Sequence, residues 1–274
     1  MSSYRKIILW LIITSPFFGL FLLVNLTAIG VFGDLPSFEQ LENPKNNLAT
    51  EIISEDGVVL GKYFFENRSK ANYNEIPENL INAFISTEDV RFRNHSGIDG
   101  RALLRAIYGA LTGKSSSGGA STITQQLSKM LFTDKPSSGV ERVMQKLKEW
   151  IISGQLEKRY TKDEILTMYL NRFDWVNNAV GIKSASQVYF NKAPIDLNIL
   201  ESAMLVGMLK NPSYYNPNRR IALTERRRNI VLSQMKKYEV ISDSLYDTLV
   251  QQPIILNFKK ASHNEGLAPY FREY

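Results

Sequence analysis

The 274 residues carry 33 Lys and Arg against 27 Asp and Glu, no cysteine, and 44% hydrophobic side chains. That composition excludes a disordered chain, a collagen repeat and a disulfide scaffold. Without cysteine there is no thiolate nucleophile, no Cys-ligated zinc or iron–sulfur cluster and no dithiol redox motif.

Residues 7–33 run for 27 positions without Asp, Glu, Lys or Arg. At about 1.5 Å per residue a helix of that length reaches roughly 40 Å, more than a hydrocarbon core of about 30 Å requires. Arg5 and Lys6 precede the run, and Asp34, Glu39 and Glu42 follow it. By the positive-inside rule, residues 1–6 form a cytoplasmic tail and everything after Gly33 lies across the membrane. A cleaved signal peptide has a shorter apolar stretch, about 7 to 15 residues, followed by a small-x-small site that is not evident here. The expectation is an uncleaved anchor over 7–33, kinked at Pro16. Beyond it stand 31 basic and 27 acidic side chains, a net charge of +4. In an exported chain this excess suits anionic lipid or a phosphorylated substrate rather than nucleic acid, with a solvated surface as the alternative.

Residues 34–48, with Pro36 and Pro44, read as a linker, and a folded domain is expected over 49–250. Residues 51–54 and 58–65 flank Asp56-Gly57, the turn dipeptide of a β-hairpin. Pro77 suits a first helical position, and Leu80, Ile81, Phe84 and Ile85 form one apolar stripe behind it. Residues 112–119 have the composition of a mobile loop. A helix follows Ser137-Ser138-Gly139 to about Arg159, and Thr161-x-x-Glu164 is a capping box opening the next one toward Asn171. Residues 201–209 and 226–237 read as helices, and 253–258 as a short strand. The outline is mainly α with a small β element near the membrane.

One turn beyond Ile85 the stripe reaches Glu88, a carboxylate where the pattern reserves an apolar side chain. That setting suits a general acid or base, the alternative being a Glu at a fraying helix end. Asp89, Phe92, His95, Gly97, Asp99 and Arg101 crowd the next residues. From Gly119 through Ser121, Thr122, Gln125 and Gln126 to Lys129, hydroxyls and N–H groups at a helix start, with a Lys beyond, suggest a phosphate site. An ordinary capped polar helix is the alternative, and no Walker sequence occurs. By default Glu149 and the basic runs Arg219-Arg220 and Arg226-Arg227-Arg228 are solvated, although near a bilayer the arginines could touch headgroups.

Together these segments resemble the peptidoglycan glycosyltransferases of glycosyltransferase family 51, the polymerase module of class A penicillin-binding proteins. Glu88-Asp89-x-x-Phe92-x-x-His95-x-Gly97-x-Asp99 is similar to the family's first motif, and Gly119-x-Ser121-Thr122-Ile123-Thr124-Gln125-Gln126-x-x-Lys129 to its second. Gln145-Lys146-x-x-Glu149 with Gln155-Leu156-Glu157, and then Tyr160-Thr161-Lys162, resembles the third. Gly181-x-x-x-Ala185-x-x-Tyr189-Phe190-x-Lys192 resembles the fourth, and Glu201-x-Ala203-x-Leu205-x-Gly207 the fifth. Two departures stand out: the family usually carries Arg at the place of Gln145 and Asn at that of Met130. Arg142, about one turn earlier, is the candidate to compensate.

The resemblance implies a lysozyme-like helical fold with a small membrane-proximal jaw, from Phe92 through the Gly/Ser loop. Phe92, Leu103, Leu104, Ile107 and Tyr108 would form its apolar lip. It implies polymerisation of lipid II into β-1,4 glycan strands with release of undecaprenyl diphosphate, at the outer side of the bacterial cytoplasmic membrane. Glu88 would be the catalytic base and Lys129 the first cation at the diphosphate. Glu149 would hold a divalent cation, Mg or Mn, or support the leaving group. Asp89, Phe92, His95, Arg101, Ser121, Thr122, Gln125, Gln126, Arg142 and Lys146 would bind substrate. Lipid II, the growing chain, the membrane and cell-wall synthesis proteins are the expected partners, with no nucleic acid. Residues 251–274 resemble the start of a linker toward a transpeptidase domain, and no SxxK serine here has a KTG partner. A glycan-cleaving enzyme and a non-catalytic cell-wall scaffold are the rival readings.

Overall fold

The computed structural model describes residues 3–37, 50–53, 55–56, 59–63, 70–113, 119, 121–132 and 136–259. Most of the linker, most of the Gly/Ser loop and residues 260–274 lie outside that set. Helix α1 spans Ser3–Ala28. Val31 N–H bonds to Leu26 O and Gly30 N–H to Thr27 O, a left-handed closure that Gly30, at φ 85°, permits. The helix therefore stops five residues short of the expected boundary at 33. Among the described residues no helix is long and apolar enough to cross a membrane. The side chains of Ile7, Leu9, Ile13, Pro16 and Phe17 are not among those described. α1 packs against helix α5, introduced below.

Strands β1 (Thr50–Ile53) and β2 (Val59–Tyr63) pair antiparallel, with a register irregularity between Ile52 and Ile53. Helix α2 (Glu78–Glu88) follows a 3-10 turn at Tyr73–Glu75. Pro77 is its cap and not its first residue, because its ψ of 145° is extended. α2 buries Leu80, Ile81, Ala83 and Phe84. Helix α3 (Gly100–Thr112) is capped by Asp99, whose carboxylate accepts the N–H groups of Arg101 and Ala102.

Helix α4 (Ile123–Phe132) packs on α5 (Gly139–Arg159) and α6 (Lys162–Arg172). Ser138 caps α5, and the expected Thr161/Glu164 box opens α6. After a loop around the buried Trp175 come α7 (Ile182–Phe190) and α8 (Ile199–Met208). Helix α9 (Pro217–Lys237) is kinked at Arg220, and α10 (Asp243–Leu249) follows. α8, α9 and α2 pack on one another, and this group carries much of the core.

Two local expectations fail. Residues 253–258 form no strand: the Asn257 and Lys259 N–H groups bond to Tyr189 O and Val188 O, the unpaired carbonyls at the end of α7. Of the two basic runs in α9, Arg219-Arg220 is exposed as expected, but in the second Arg227 and Arg228 are buried and only Arg226 is exposed.

Candidate active site

Glu88 ends α2, with its side chain 18% exposed. Its Oε2 accepts a hydrogen bond from Gln126 Nε2 at 2.9 Å, and Gln126 Oε1 in turn accepts from the Tyr169 hydroxyl at 2.8 Å. That relay joins three helices, and the core fixes its far end: Tyr169 is buried with its ring 4.7 Å from that of Phe84. Burial, helped by the nearby Glu88 charge, pushes the Tyr169 phenol far above its ordinary pKa, so it stays a donor. Glu88 Oε1 has Arg227 Nη2 at 3.9 Å, beyond hydrogen-bond reach, and makes no hydrogen bond among the described residues. Neither Tyr169 nor Arg227 was legible as part of the site. Tyr169 lies in the helix read toward Asn171, with no role given to it, and Arg227 read as solvent-facing.

Asp89 bonds within the protein. Its Oδ2 accepts the Ile123 N–H at 3.1 Å, and both oxygens contact His95 Nε2, at 3.0 and 3.1 Å. It thereby ties the end of α2 to the start of α4. Thr122 donates to Gly97 O at 2.6 Å and accepts from Gln125 N–H, while Gln125 Nε2 also reaches Gly97 O, at 3.1 Å. The start of α4 is thus capped by the protein's own groups. Within the expected phosphate site, Thr122 and the Gln125 amide nitrogen bond inside the protein, whereas Gln125 Oε1 is buried without a hydrogen-bond partner. Phe92 is fully buried under Lys162, whose Nζ lies 4.3 Å from the ring centroid. It belongs to the core, not to an apolar lip. Arg101 and Lys129 are exposed.

The second carboxylate lies on α5. Glu149 is not solvated: its side chain is 2% exposed. Oε2 accepts from Lys146 Nζ at 2.9 Å, and the same ammonium donates to Ser121 Oγ at 2.7 Å. Oε1 has no hydrogen-bond partner, and Arg142 Nη1 lies 3.7 Å from it. Arg142 Nη1 instead donates to Gln145 Oε1 at 2.6 Å. Residues 142, 145, 146 and 149 share one face of α5. No cluster of three or more His, Asp or Glu suited to a metal occurs among the described residues. A divalent cation at Glu149 would face Lys146 and Arg142, so this donor set does not suit one.

The arrangement therefore offers a half-buried carboxylate with one oxygen that accepts no hydrogen bond and has Arg227 3.9 Å away, and, on α5, a buried carboxylate dressed by two cations. The protein-family description "Transglycosylase" matches residues 56–236. Penicillin-binding protein 1A of Pseudomonas aeruginosa is 36% identical over 239 residues, covering 87% of this chain and 28% of its own length. Penicillin-binding protein 1A of Escherichia coli gives the same identity and coverage. The crystal structure of penicillin-binding protein 1A from Haemophilus influenzae aligns at a TM-score of 0.44 and 23% identity, over 78% of this chain and 22% of that one. The chain spans less than a third of the length of these relatives.

Proposed function

We infer the reaction from one premise: the chain belongs to the transglycosylase family, and its folded domain is a peptidoglycan glycosyltransferase module. For the chain as a whole the proposed reaction is polymerisation of lipid II into β-1,4 glycan strands with release of undecaprenyl diphosphate.

The observation that carries this reading is Glu88. Gln126 and Tyr169 hold one of its oxygens, and the other is left for a substrate hydroxyl. As the acceptor 4-hydroxyl attacks the donor's anomeric carbon, its proton passes to Glu88 Oε1. The bond from that carbon to the diphosphate oxygen breaks on the opposite face, which inverts an α-linked donor to a β product. Charge grows on the departing diphosphate, and fixed cations that meet it there lower the barrier. We assign this role to Lys146 and Arg142 on α5 together with Lys129, exposed on α4. No step is assigned to a metal, since Glu149 is already held by Lys146.

The apolar run in α1 supports a membrane anchor, with the domain on the outer side where a lipid-linked donor is met. The face of α3 that carries Leu104, Ile107 and Tyr108, exposed at 68%, 48% and 64%, supports contact with the bilayer. The test is purified protein with labelled lipid II. Elongated strands are expected, and cleavage of preformed strands without polymer would overturn the reading in favour of a hydrolase.

A further inference from the structure

Arg228, in the middle of α9, carries a buried charge that its neighbours answer only in part. Its side chain is 0% exposed, yet Nη1 has no hydrogen-bond partner among the described residues. Nε and Nη2 both donate to the neutral Asn229 Oδ1, at 3.0 and 2.8 Å. Glu225 Oε1 stands 3.6 Å from Nη2, outside hydrogen-bond reach, and that side chain is 36% exposed. Burial works against the charge, but an arginine keeps its proton in a protein, so the guanidinium calls for a further acceptor.

The room for one is beside it. Arg228 lines a cavity of about 110 Å³ between the end of α7, the first turns of α8 and the segment after α10. Phe190, Met204 and Ile254 form its apolar wall, and Glu201 and Gln252 add polar groups. Glu201 leaves the arginine unanswered, because its Oε1 accepts from Lys192 Nζ at 2.7 Å and its Oε2 from the Asn198 N–H at 2.9 Å. α8 begins at this wall, so the positive end of its dipole adds to the charges of Arg228 and Lys192. Water alone would satisfy the guanidinium but leave the apolar wall wet. A carboxylate on a short aliphatic tail satisfies both.

We propose that this cavity is a binding site for a small aliphatic monocarboxylate, whose carboxylate accepts from Arg228 Nη1 and whose tail lies against Phe190, Met204 and Ile254. The lining residues include none of the candidate active site, and the proposal does not rest on the proposed glycosyl transfer. A bound acid fastens the segment after α10, which already bonds to the end of α7 through Asn257 and Lys259, onto α9 as well.

The experiment titrates sodium butyrate into the full chain in detergent by calorimetry at constant ionic strength, and follows the melting temperature in parallel. Butyrate is expected to bind and to raise the melting temperature. Butyramide, which has the shape without the charge, and sodium chloride, which has the charge without the tail, should do neither. Arg228→Met is expected to weaken butyrate about tenfold or more, the scale of one charge-assisted hydrogen bond. Should that variant fold poorly, Ile255→Trp at the exposed rim crowds the cavity without touching the guanidinium, and it should likewise abolish the butyrate effect. No response of the wild type to butyrate, equal binding of butyramide, or butyrate binding undiminished in the variants would overturn the proposal. A chloride response equal to that of butyrate would overturn the assignment to a carboxylate.

Discussion

Glu88 and Glu149 differ in what holds them, and so do the expected effects of changing them. Glu88→Gln keeps the size of the side chain and its hydrogen bond with Gln126 but removes the proton acceptor. Polymerisation of lipid II should fall about 100- to 10,000-fold with the melting temperature nearly unchanged. Activity within tenfold of wild type would remove Glu88 from the role of base. Glu149 is a stability matter first. Lys146→Ala strips the hydrogen-bonded partner from a carboxylate that is 2% exposed, and an unpaired buried charge is expensive. Unfolding in denaturant should show a loss of about 3 kcal/mol, toward the lower end for a broken buried pair, because Arg142 remains 3.7 Å away. Lys146→Met with Glu149→Leu together should recover much of that stability while leaving turnover low, which separates folding from chemistry.

At the scale of elements, the site depends on short links between helix ends. Gly97 sits at φ 88°, and a Cβ there would lie 2.9 Å from the backbone carbon of Ser153 in α5. Its carbonyl meanwhile receives Thr122 and Gln125 at the start of α4. Gly97→Ala should therefore destabilise the fold by about 2 kcal/mol or more, since both the left-handed backbone and the close approach are lost. A wild-type denaturation midpoint would refute this. Asp99 gives a pH test. Burial pushes its carboxyl up, but the Ala102 N–H and the Arg91 guanidinium outweigh it and hold the carboxyl below the usual aspartate range. A folded-state pKa below the unfolded one stabilises α3 above about pH 4 and loses that stabilisation as pH falls through the folded value. Asp99→Asn should keep the cap and flatten the acid limb of the stability curve; an unchanged limb would assign the effect elsewhere. Helix starts were legible where a capping pair stood close in sequence, as at Thr161/Glu164. The same logic applies at Asn198/Glu201, whose box opens α8 two residues before the expected start. What periodicity could not reveal is contact at long range. Asp89 caps Ile123, 34 residues on, and Gln126 meets Glu88 across 38. The motifs named those residues, but not which would face substrate and which would hold helices together.

For the whole molecule, the question is how a domain built on a buried core meets a substrate with a long lipid tail. α1 packs against α5, the helix that carries Glu149, Lys146 and Arg142, so the proposed anchor and the proposed leaving-group site share one element. α3 adds a second apolar surface at some distance in sequence. Asp99 fixes its first turn, and Leu104, Ile107 and Tyr108 are too exposed to contribute much to the core. Phe92, expected beside them, is core, so the lip is narrower than the sequence suggested. Three such side chains entering an interfacial layer would each gain on the order of 1 kcal/mol or more from burial of apolar surface. Residues 34–274, freed of α1, should therefore still sediment with vesicles of anionic lipid at moderate salt. The same fragment with Leu104, Ile107 and Tyr108 changed to Ser should remain in the supernatant, with its circular dichroism spectrum unaltered because those residues support no core contact. Equal partition of the two fragments would show that the α3 face is not what meets the bilayer, and would shift membrane contact to α1 alone.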